Sequence, residues 1–240
     1  MHPNENVNAA NAPSGVVTME SKVSGVAVLV CGSGNLGQVQ AADRLVVSEM
    51  EAERAARLRD PAARQMLLAS LASARAMLGR VLEIPPGEVD LARTANGAPF
   101  LASCPDRAIS ISRSQRWTAV ALADSGPIGV DIEQVRPIDW QPMLAMICSD
   151  EEQAAMRGLA ASVPDRAPAL FFELWTVKEA VLKASGRGLR AGAKNVPVPV
   201  SRLGQGVPAP RDLRLDGAHY TVWSEWLGDA VLSVATGIRT

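Results

Sequence analysis

The sequence predicts an α+β fold made of two similar halves. A strand-like run, a long helix and further strands succeed one another before a turn signal at Ser125-Gly126-Pro127, and the same coarse order returns after it. The chain has 240 residues, of which 48% are hydrophobic, so it can bury a substantial core. We therefore expect a flexible tail over residues 1–22, an N-terminal subdomain over 23–126 and a C-terminal subdomain over 127–240.

The first half contains a strand, two helices and two more strands. Gly25–Cys31 is short, apolar and β-branched, which is typical of a strand. Ser48 and Glu51 have the spacing of a capping box, and Asp60-Pro61 begins a longer helix that ends near Ile84-Pro85-Pro86. Apolar residues keep helical spacing along this helix, which predicts one core-facing side. After a turn at 96–99, strands are predicted over 107–112 and 117–123.

The second half repeats this pattern with different lengths. A strand is predicted over 128–133, and Ser149 with Glu152 again has capping-box spacing. A longer helix is predicted over about 168–184. The remaining predicted strands cover 211–215, 219–226 and 230–235.

The composition excludes several classes of function. With 24 basic and 25 acidic residues, the chain has no overall field for nucleic acid or for an anionic membrane. No run approaches the ~18 apolar residues of a membrane span, and the first 22 residues do not read as a signal peptide. Three cysteines without metal-like spacing fit reduced thiols in the cytoplasm. Two histidines argue against a histidine-dependent triad or a zinc site.

The segment Gly129-Val130-Asp131-Ile132-Glu133 is the first candidate for chemistry. Alternate side chains of a strand share a face, so Asp131 and Glu133 point the same way. Paired carboxylates repel each other unless water or a cation lies between them, and oxygen-only ligation suits Mg²⁺. The alternative is a strand end with a solvated polar face.

The helix Trp175–Lys183 is the second candidate. Leu170, Leu174, Val177 and Val181 share a core face, whereas Trp175, Glu179 and Lys183 form a stripe roughly opposite, and Lys178 lies between the two. Two of the chain's four lysines lie in this helix, and an ammonium group can act as a point charge on a phosphate. The alternative is an ordinary surface ion pair between Glu179 and Lys183.

Two further segments complete the set of candidates. Ser112-Arg113-Ser114 follows a strand-like run, and hydroxyls with a guanidinium can hold a phosphate, although a polar turn would have the same composition. The segment 186–189 (GRGL) directly follows the long helix, and its glycines are typical of a helix end.

Taken together, these segments resemble the larger, monomeric phosphopantetheinyl transferases, the type that activates surfactin synthetase. That family carries a G-[IV]-D-[IV]-E strand followed by a W-[ST]-x-K-E-[AS]-x-x-K helix, and Gly129–Glu133 and Trp175–Lys183 fill every defining position. The resemblance covers about residues 25–235. It implies two similar α+β halves related by pseudo-twofold symmetry, with coenzyme A in the cleft between them.

The resemblance also implies roles for individual residues. Asp131, Glu133 and Glu179 would hold Mg²⁺, with Glu179 also the candidate base. Lys178 and Lys183 would serve the phosphates and the charge balance, while Arg64, Ser112 and Arg113 would lie near the 3′-phosphoadenosine end of coenzyme A. The chain departs from the family at Arg113, where histidine is usual, and at Ala98 and Leu71, where cations are usual. We expect these departures to weaken or rearrange coenzyme binding.

The activity that the resemblance implies is transfer of the phosphopantetheine arm of coenzyme A to a serine of an acyl or peptidyl carrier protein. Arg136, Arg157 and Arg166 lie between the two motifs and are candidate carrier contacts. A cytoplasmic monomer is expected. Two alternatives stay open, a non-catalytic relative that only binds carrier or coenzyme, and another Mg²⁺-dependent phosphoryl enzyme, although the chain lacks a G-x-x-x-x-G-K-[ST] loop.

Overall fold

A computed structural model describes residues 16–19, 21–32, 46–187, 192–204 and 210–237. Within these residues the chain forms five α-helices and ten strands, which confirms the predicted α+β class. The helices are α1 (Glu49–Ala56), α2 (Pro61–Leu82), α3 (Gln141–Ile147), α4 (Asp150–Ser162) and α5 (Ala167–Ala184). The strands are β1 (Val16–Met19), β2 (Val26–Gly32), β3 (Leu91–Arg93), β4 (Pro99–Leu101), β5 (Ala108–Ser114), β6 (Trp117–Ala123), β7 (Ile128–Gln134), β8 (Arg211–Leu215), β9 (Ala218–Leu227) and β10 (Ala230–Gly237).

The first half forms an antiparallel sheet of order β1-β2-β6-β5, with α2 packed on one face. Met77 and Leu78 of α2 are fully buried against Leu29 and Val120 of the sheet. The capping box of α1 and the Asp60 cap of α2 are both present as predicted. The helical spacing seen in the sequence therefore does supply one face of this core.

Strand β1 corrects the prediction of a loose tail over residues 1–22. Val16–Met19 pairs antiparallel with β2, from Val16 opposite Cys31 to Met19 opposite Val28. Its V-V-T-M sequence is β-branched, and pairing satisfies backbone groups that would otherwise lie at the sheet edge. Residues 1–15 and 20 of the predicted tail lie outside the described residues.

The second half forms an antiparallel sheet of order β7-β10-β9-β8, which α5 covers. The predicted core face of α5 is buried: Leu170, Leu174, Val177 and Val181 are at most 2% exposed. The capping box at Ser149 is present at the start of α4. Three short elements, α3 and the β3–β4 hairpin, were not predicted, because none has enough residues to show a periodic pattern.

The two sheets pack face to face, so α2 and α5 lie on the outer sides. Val28, Val30 and Ala121 of the first sheet contact Val130 and Ile132 of the second within one apolar cluster. Side-chain hydrogen bonds support this packing at one end, where Asp229 accepts from Arg116, Trp117 and Gln134. Among the described residues, no helix is both long enough and apolar enough to cross a membrane.

Candidate active site

Helix α5 crosses strand β7 at Gly129, where the two backbones touch. A Cβ atom on Gly129 would lie 2.6 Å from the backbone nitrogen of Ala184 and closer still to the carbonyl oxygen of Ala180. Only glycine fits there without a shift of the backbone. The crossing brings Glu179 and Lys183, each one residue before these alanines, onto the face of β7 that carries Asp131.

Asp131 is 5% exposed and is held through one carboxylate oxygen. Its Oδ1 accepts a hydrogen bond of 2.7 Å from Ser112 Oγ and forms an ion pair of 2.7 Å with Lys183 Nζ. Lys183 also donates to the carbonyl of Val130 at 2.9 Å. The buried Oδ2 has no hydrogen-bond partner among the described residues, so this oxygen is left for a ligand.

Glu133 is likewise held through one oxygen. Its Oε2 accepts a hydrogen bond from Ser114 Oγ and forms a 3.2 Å ion pair with Arg136. The guanidinium of Arg136 lies 5.0 Å from the ring centre of Phe172. The Glu133 side chain is 21% exposed. It therefore lies at the open end of the site, whereas Asp131 lies at the buried end.

Glu179 completes the carboxylate cluster on the helix side. Burial raises the pKa of Glu179, and the negative charges of Asp131 and Glu133 raise it further. The positive charge of Lys183 opposes them, and the resulting pKa is about 7. Its Oε1 is buried and has no hydrogen-bond partner among the described residues. Ionised Glu179 thus pays a desolvation and repulsion free energy that binding a proton or a cation would remove.

These residues fit a hard divalent cation. Two buried carboxylate oxygens, Asp131 Oδ2 and Glu179 Oε1, lack hydrogen-bond partners in the described part of the chain, and unpaired buried acceptors are costly. No group of three or more His, Cys, Asp or Glu side chains in the described part of the chain is already assembled as a metal cage. Mg²⁺ does not require one, since it commonly takes one or two carboxylates and completes its shell with water and substrate phosphate.

Lys178 has a different environment from the one predicted. It is 1% exposed, and its ammonium donates to both carboxylate oxygens of Glu152 at 2.9 Å and to the carbonyls of Ala193 and Val196 at 3.0 and 2.6 Å. Burial lowers its pKa, while the bond to Glu152 opposes that shift. Because its donors are used by these partners, Lys178 joins α5, α4 and the segment 193–198. The structure does not bring it to the carboxylate cluster.

A cluster of arginines lies in the first half. Burial lowers the pKa of Arg113, and the nearby charge of Arg54 lowers it further; Arg93 is shifted downward by burial and by both other arginines. Helix α1, which carries Arg54, is fixed to α2 by a buried ion pair of 2.9 Å between Glu51 and Arg75. A bound anion would lower the electrostatic cost of these neighbouring positive charges.

Sequence reasoning identified Arg113 but missed Arg54 and Arg93. The signal for Arg93 was present, since it begins the segment that ends in the 96–99 turn, and it donates to the carbonyl of Gly97 at 2.7 Å. Nothing in the spacing relates Arg54 to either of the other two. Among the described residues, the predicted Arg64 is exposed, donates to the carbonyl of Leu58 at 2.9 Å, and shows no contact with either cluster.

Two of the noted departures from the family pattern lie near this cation cluster. Leu71 is 4% exposed and packs with Ala55 and Leu67 between α1 and α2, so an apolar residue there serves the core. Ala98 immediately follows Gly97, whose carbonyl Arg93 holds. Arg93 thus brings a positive charge to the 96–99 turn, next to Ala98.

Comparisons with known proteins agree with the geometry. Residues 127–235 match the family model of the 4′-phosphopantetheinyl transferase superfamily. The chain is 31% identical over 140 residues to the 4′-phosphopantetheinyl transferase psf-1 of Bacillus pumilus, covering 55% of this chain and 58% of that protein. It is 29% identical over 131 residues to Sfp of Bacillus subtilis, covering 55% and 56%, and 32% identical over 151 residues to HetI of a Nostoc species, covering 60% and 61%.

The matched segments thus span little more than half the length of these curated relatives. The match to the family model begins just before β7 and ends within β10, so it includes the whole carboxylate cluster, Lys183 and the Gly129 crossing. Over residues 127–235, which contain both filled motifs, the chain is thus similar to the 4′-phosphopantetheinyl transferase superfamily.

Proposed function

We propose that this protein transfers the 4′-phosphopantetheine group of coenzyme A to a serine of an apo acyl or peptidyl carrier protein and releases 3′,5′-ADP. The observation that carries the proposal is the pair of unpartnered buried oxygens on Asp131 and Glu179, beside the ammonium of Lys183. A site with two free carboxylate oxygens and one cation suits a metal-bound diphosphate. In coenzyme A the diphosphate joins the phosphopantetheine arm to the nucleotide.

The arginine cluster supports the same substrate at its other end. Arg113 alternates along β5 with Ser112 and Ser114, so its side chain points away from the face that meets the carboxylates. A ligand that reached both clusters would cross the end of β5, between the two sheets. We infer that residues 23–126 and 127–240 act as two pseudo-twofold-related subdomains, with the 3′-phosphoadenosine held at Arg54, Arg93 and Arg113.

Lys183 is the proposed phosphate contact within the carboxylate cluster. An ammonium has three protons, of which Asp131 and the carbonyl of Val130 take two. Its side chain is 29% exposed, so the third proton has access to a ligand oxygen. A Mg²⁺ ion held by Asp131, Glu133 and Glu179 would supply charge neutralisation for the diphosphate and its departing ADP.

Glu179 is the proposed base. The carrier serine attacks the phosphorus that bears the pantetheine arm, its O–H proton is lost, and the P–O bond to 3′,5′-ADP breaks. The Glu179 carboxylate, whose buried Oε1 lacks a hydrogen-bond partner among the described residues, is the group that would accept that proton. Lys178, predicted to assist in catalysis, is assigned instead to holding α5 in place.

The carrier is proposed to dock beside the open end of the site. Arg136 adjoins Glu133 at this end, and Met146 of α3 is an apolar side chain that is 74% exposed, so this half of the chain offers both basic and apolar groups to a partner. Arg157 lines an open cavity of about 370 Å³ together with Trp140 and Pro164. Acidic carriers would complement this charge. Cys31, Cys104 and Cys148 form no disulfide in the described part of the chain, and we propose a cytoplasmic protein. We propose a monomer because both clusters belong to one chain.

One assay tests the proposal. The protein is incubated with coenzyme A, MgCl₂ and an apo carrier protein, and the carrier mass and the released nucleotide are measured. We expect the carrier to gain one phosphopantetheine group with release of 3′,5′-ADP. The Glu179→Gln variant is expected to lose this activity by orders of magnitude, whereas the exposed control Glu88→Gln retains it. Phosphate release without carrier modification would indicate a hydrolase, and binding without either product would indicate a non-catalytic protein.

A further inference from the structure

Three serines of β5 join it to β7 without ordinary strand pairing. The hydroxyl oxygens of Ser110, Ser112 and Ser114 accept hydrogen bonds from the backbone N–H groups of residues 130, 132 and 134, at 3.0, 3.3 and 3.3 Å. Since the serines are two residues apart, they share one face of β5 and are spaced like successive N–H groups of one edge of β7. The two sheets meet along this row of serine side chains.

Two of these hydroxyls also donate to the carboxylates of the candidate site. Ser112 Oγ donates to Asp131 Oδ1 at 2.7 Å, and Ser114 Oγ donates to Glu133 Oε2. A hydroxyl has one proton, so each of these protons is used by a carboxylate. Ser110 binds only the N–H of Val130 among the described residues, because residue 129 is glycine and offers no carboxylate.

We infer that Ser112 and Ser114 are positioning residues that select which oxygen of each carboxylate a metal ion meets. With Asp131 Oδ1 taken by Ser112 and Lys183, the partnerless Oδ2 is the oxygen presented to the site. Ser114 and Arg136 engage Oε2 of Glu133 in the same manner. Because the serines belong to the first half and the carboxylates to the second, the packing of the two sheets sets the geometry of the metal ligands.

This inference rests on the proposed function and replaces the expected role of Ser112 at the coenzyme. Ser112 is 6% exposed, and a phosphate would have to displace Asp131 to receive its proton. Groups that orient metal ligands in this way typically change metal affinity by about 10- to 100-fold when they are removed. Ser110 provides a matched control, since it makes the same backbone bond and no carboxylate bond.

The test measures metal binding directly. Wild type, Ser110→Ala, Ser112→Ala and Ser114→Ala are titrated with MnCl₂, and free Mn²⁺ is followed by electron paramagnetic resonance, with melting temperatures recorded for each protein. We expect all three variants to melt lower than wild type, because each leaves one N–H of β7 without its acceptor. We expect Mn²⁺ affinity to fall about tenfold or more for the variants at 112 and 114, and less than about twofold for the variant at 110.

The outcomes separate this inference from the proposed function. If wild type binds Mn²⁺ and all three variants change affinity equally, or none does, the positioning role is refuted and the metal site stands. If wild type binds no Mn²⁺ even with coenzyme A present, both proposals fail. Ser114→Thr keeps the hydroxyl and is expected to restore affinity to within about threefold of wild type; an affinity as low as that of Ser114→Ala would assign the loss to packing instead.

Discussion

Replacing Gly129 with alanine tests whether the contact between β7 and α5 builds the site. The added methyl would lie 2.6 Å from the nitrogen of Ala184 and 3.0 Å from the carbonyl carbon of Ala180, with the carbonyl oxygen of Ala180 closer still. Each of these is backbone, so no side chain can turn aside to make room. Either the helix or the strand must move.

The size of the movement follows from these distances. Ordinary contact begins near 3.4 Å, so the added methyl and the Ala184 nitrogen must separate by about 0.8 Å, and the methyl and the Ala180 oxygen by more than 1 Å. Overpacking of a close-packed core typically costs 1–3 kcal/mol, and we expect about 3 kcal/mol here because both partners are rigid. A shift of about 1 Å in reacting groups costs about 10²-fold in turnover. Because Glu179 and Lys183 move with α5, both losses are expected together.

The assay compares Gly129→Ala with Gly158→Ala. Gly158 lies in α4, and its added methyl would have nothing within 4 Å, so helix propensity predicts a gain of about 0.5–1 kcal/mol with unchanged activity. Urea unfolding gives the stability, and carrier modification gives kcat. If Gly129→Ala kept wild-type stability and turnover, the close approach of the two backbones would not be what positions the carboxylates.

Three further predictions concern the charged residues. In the folded protein the pKa of Glu179 is about 7, above its ordinary value of 4.5, so wild type loses stability as the pH rises from about 4.5 to 7. Urea unfolding is expected to show Glu179→Gln more stable than wild type at pH 8 and equally stable near pH 4. Lys178→Met is expected to lose about 3–5 kcal/mol of stability because it leaves Glu152 buried without its cation. Lys183→Met is expected to lose less, because Ser112 still donates to Asp131, and to raise the KM for coenzyme A. Equal stability losses would contradict the separate roles. Arg93→Ala is expected to raise the KM for coenzyme A about tenfold at unchanged kcat. The KM for dephospho-coenzyme A, which lacks the 3′-phosphate, is expected to stay unchanged. An equal rise in both KM values would mean that Arg93 contacts another part of the ligand.

Much of the fold was accessible from local patterns. The capping boxes at Ser48 and Ser149 and the apolar spacing in α2 and α5 are signals within one stretch of chain, and the helices form where these signals indicate. The carboxylates were accessible for the same reason, since alternation in β7 puts Asp131 and Glu133 on one face. Short elements such as β1 and β3 depend on a neighbouring strand for their stability, and no local pattern reveals that partner.

The two lysines of α5 show where local patterns fail. Lys178 and Lys183 both belong to the same motif, and periodicity placed Lys178 between the buried and open faces. What distinguishes them is their partners: Glu152 lies 26 residues before Lys178, and Asp131 lies 52 residues before Lys183. A buried lysine is stable only where an acid and carbonyl groups converge on it, and that convergence is a property of the tertiary structure. The grouping of Arg113 with Arg54 and Arg93 was not predicted for the same reason, since α1, β3 and β5 supply one arginine each.

The carboxylate cluster and the arginine cluster each hold like charges close together, negative in the first and positive in the second. The sign of each charge indicates which kind of ligand would bind there. In the second half, burial and the charges of Asp131 and Glu133 raise the pKa of Glu179. In the first half, burial and the nearby charge of Arg54 lower the pKa values of Arg93 and Arg113. Folding alone gains nothing from either arrangement, so each is expected to be relieved by a ligand. A cation would relieve the first and a phosphate the second. A phosphorylated nucleotide with a divalent ion on its diphosphate would bring both a cation and a phosphate, which neither a free metal ion nor a simple phosphate can do.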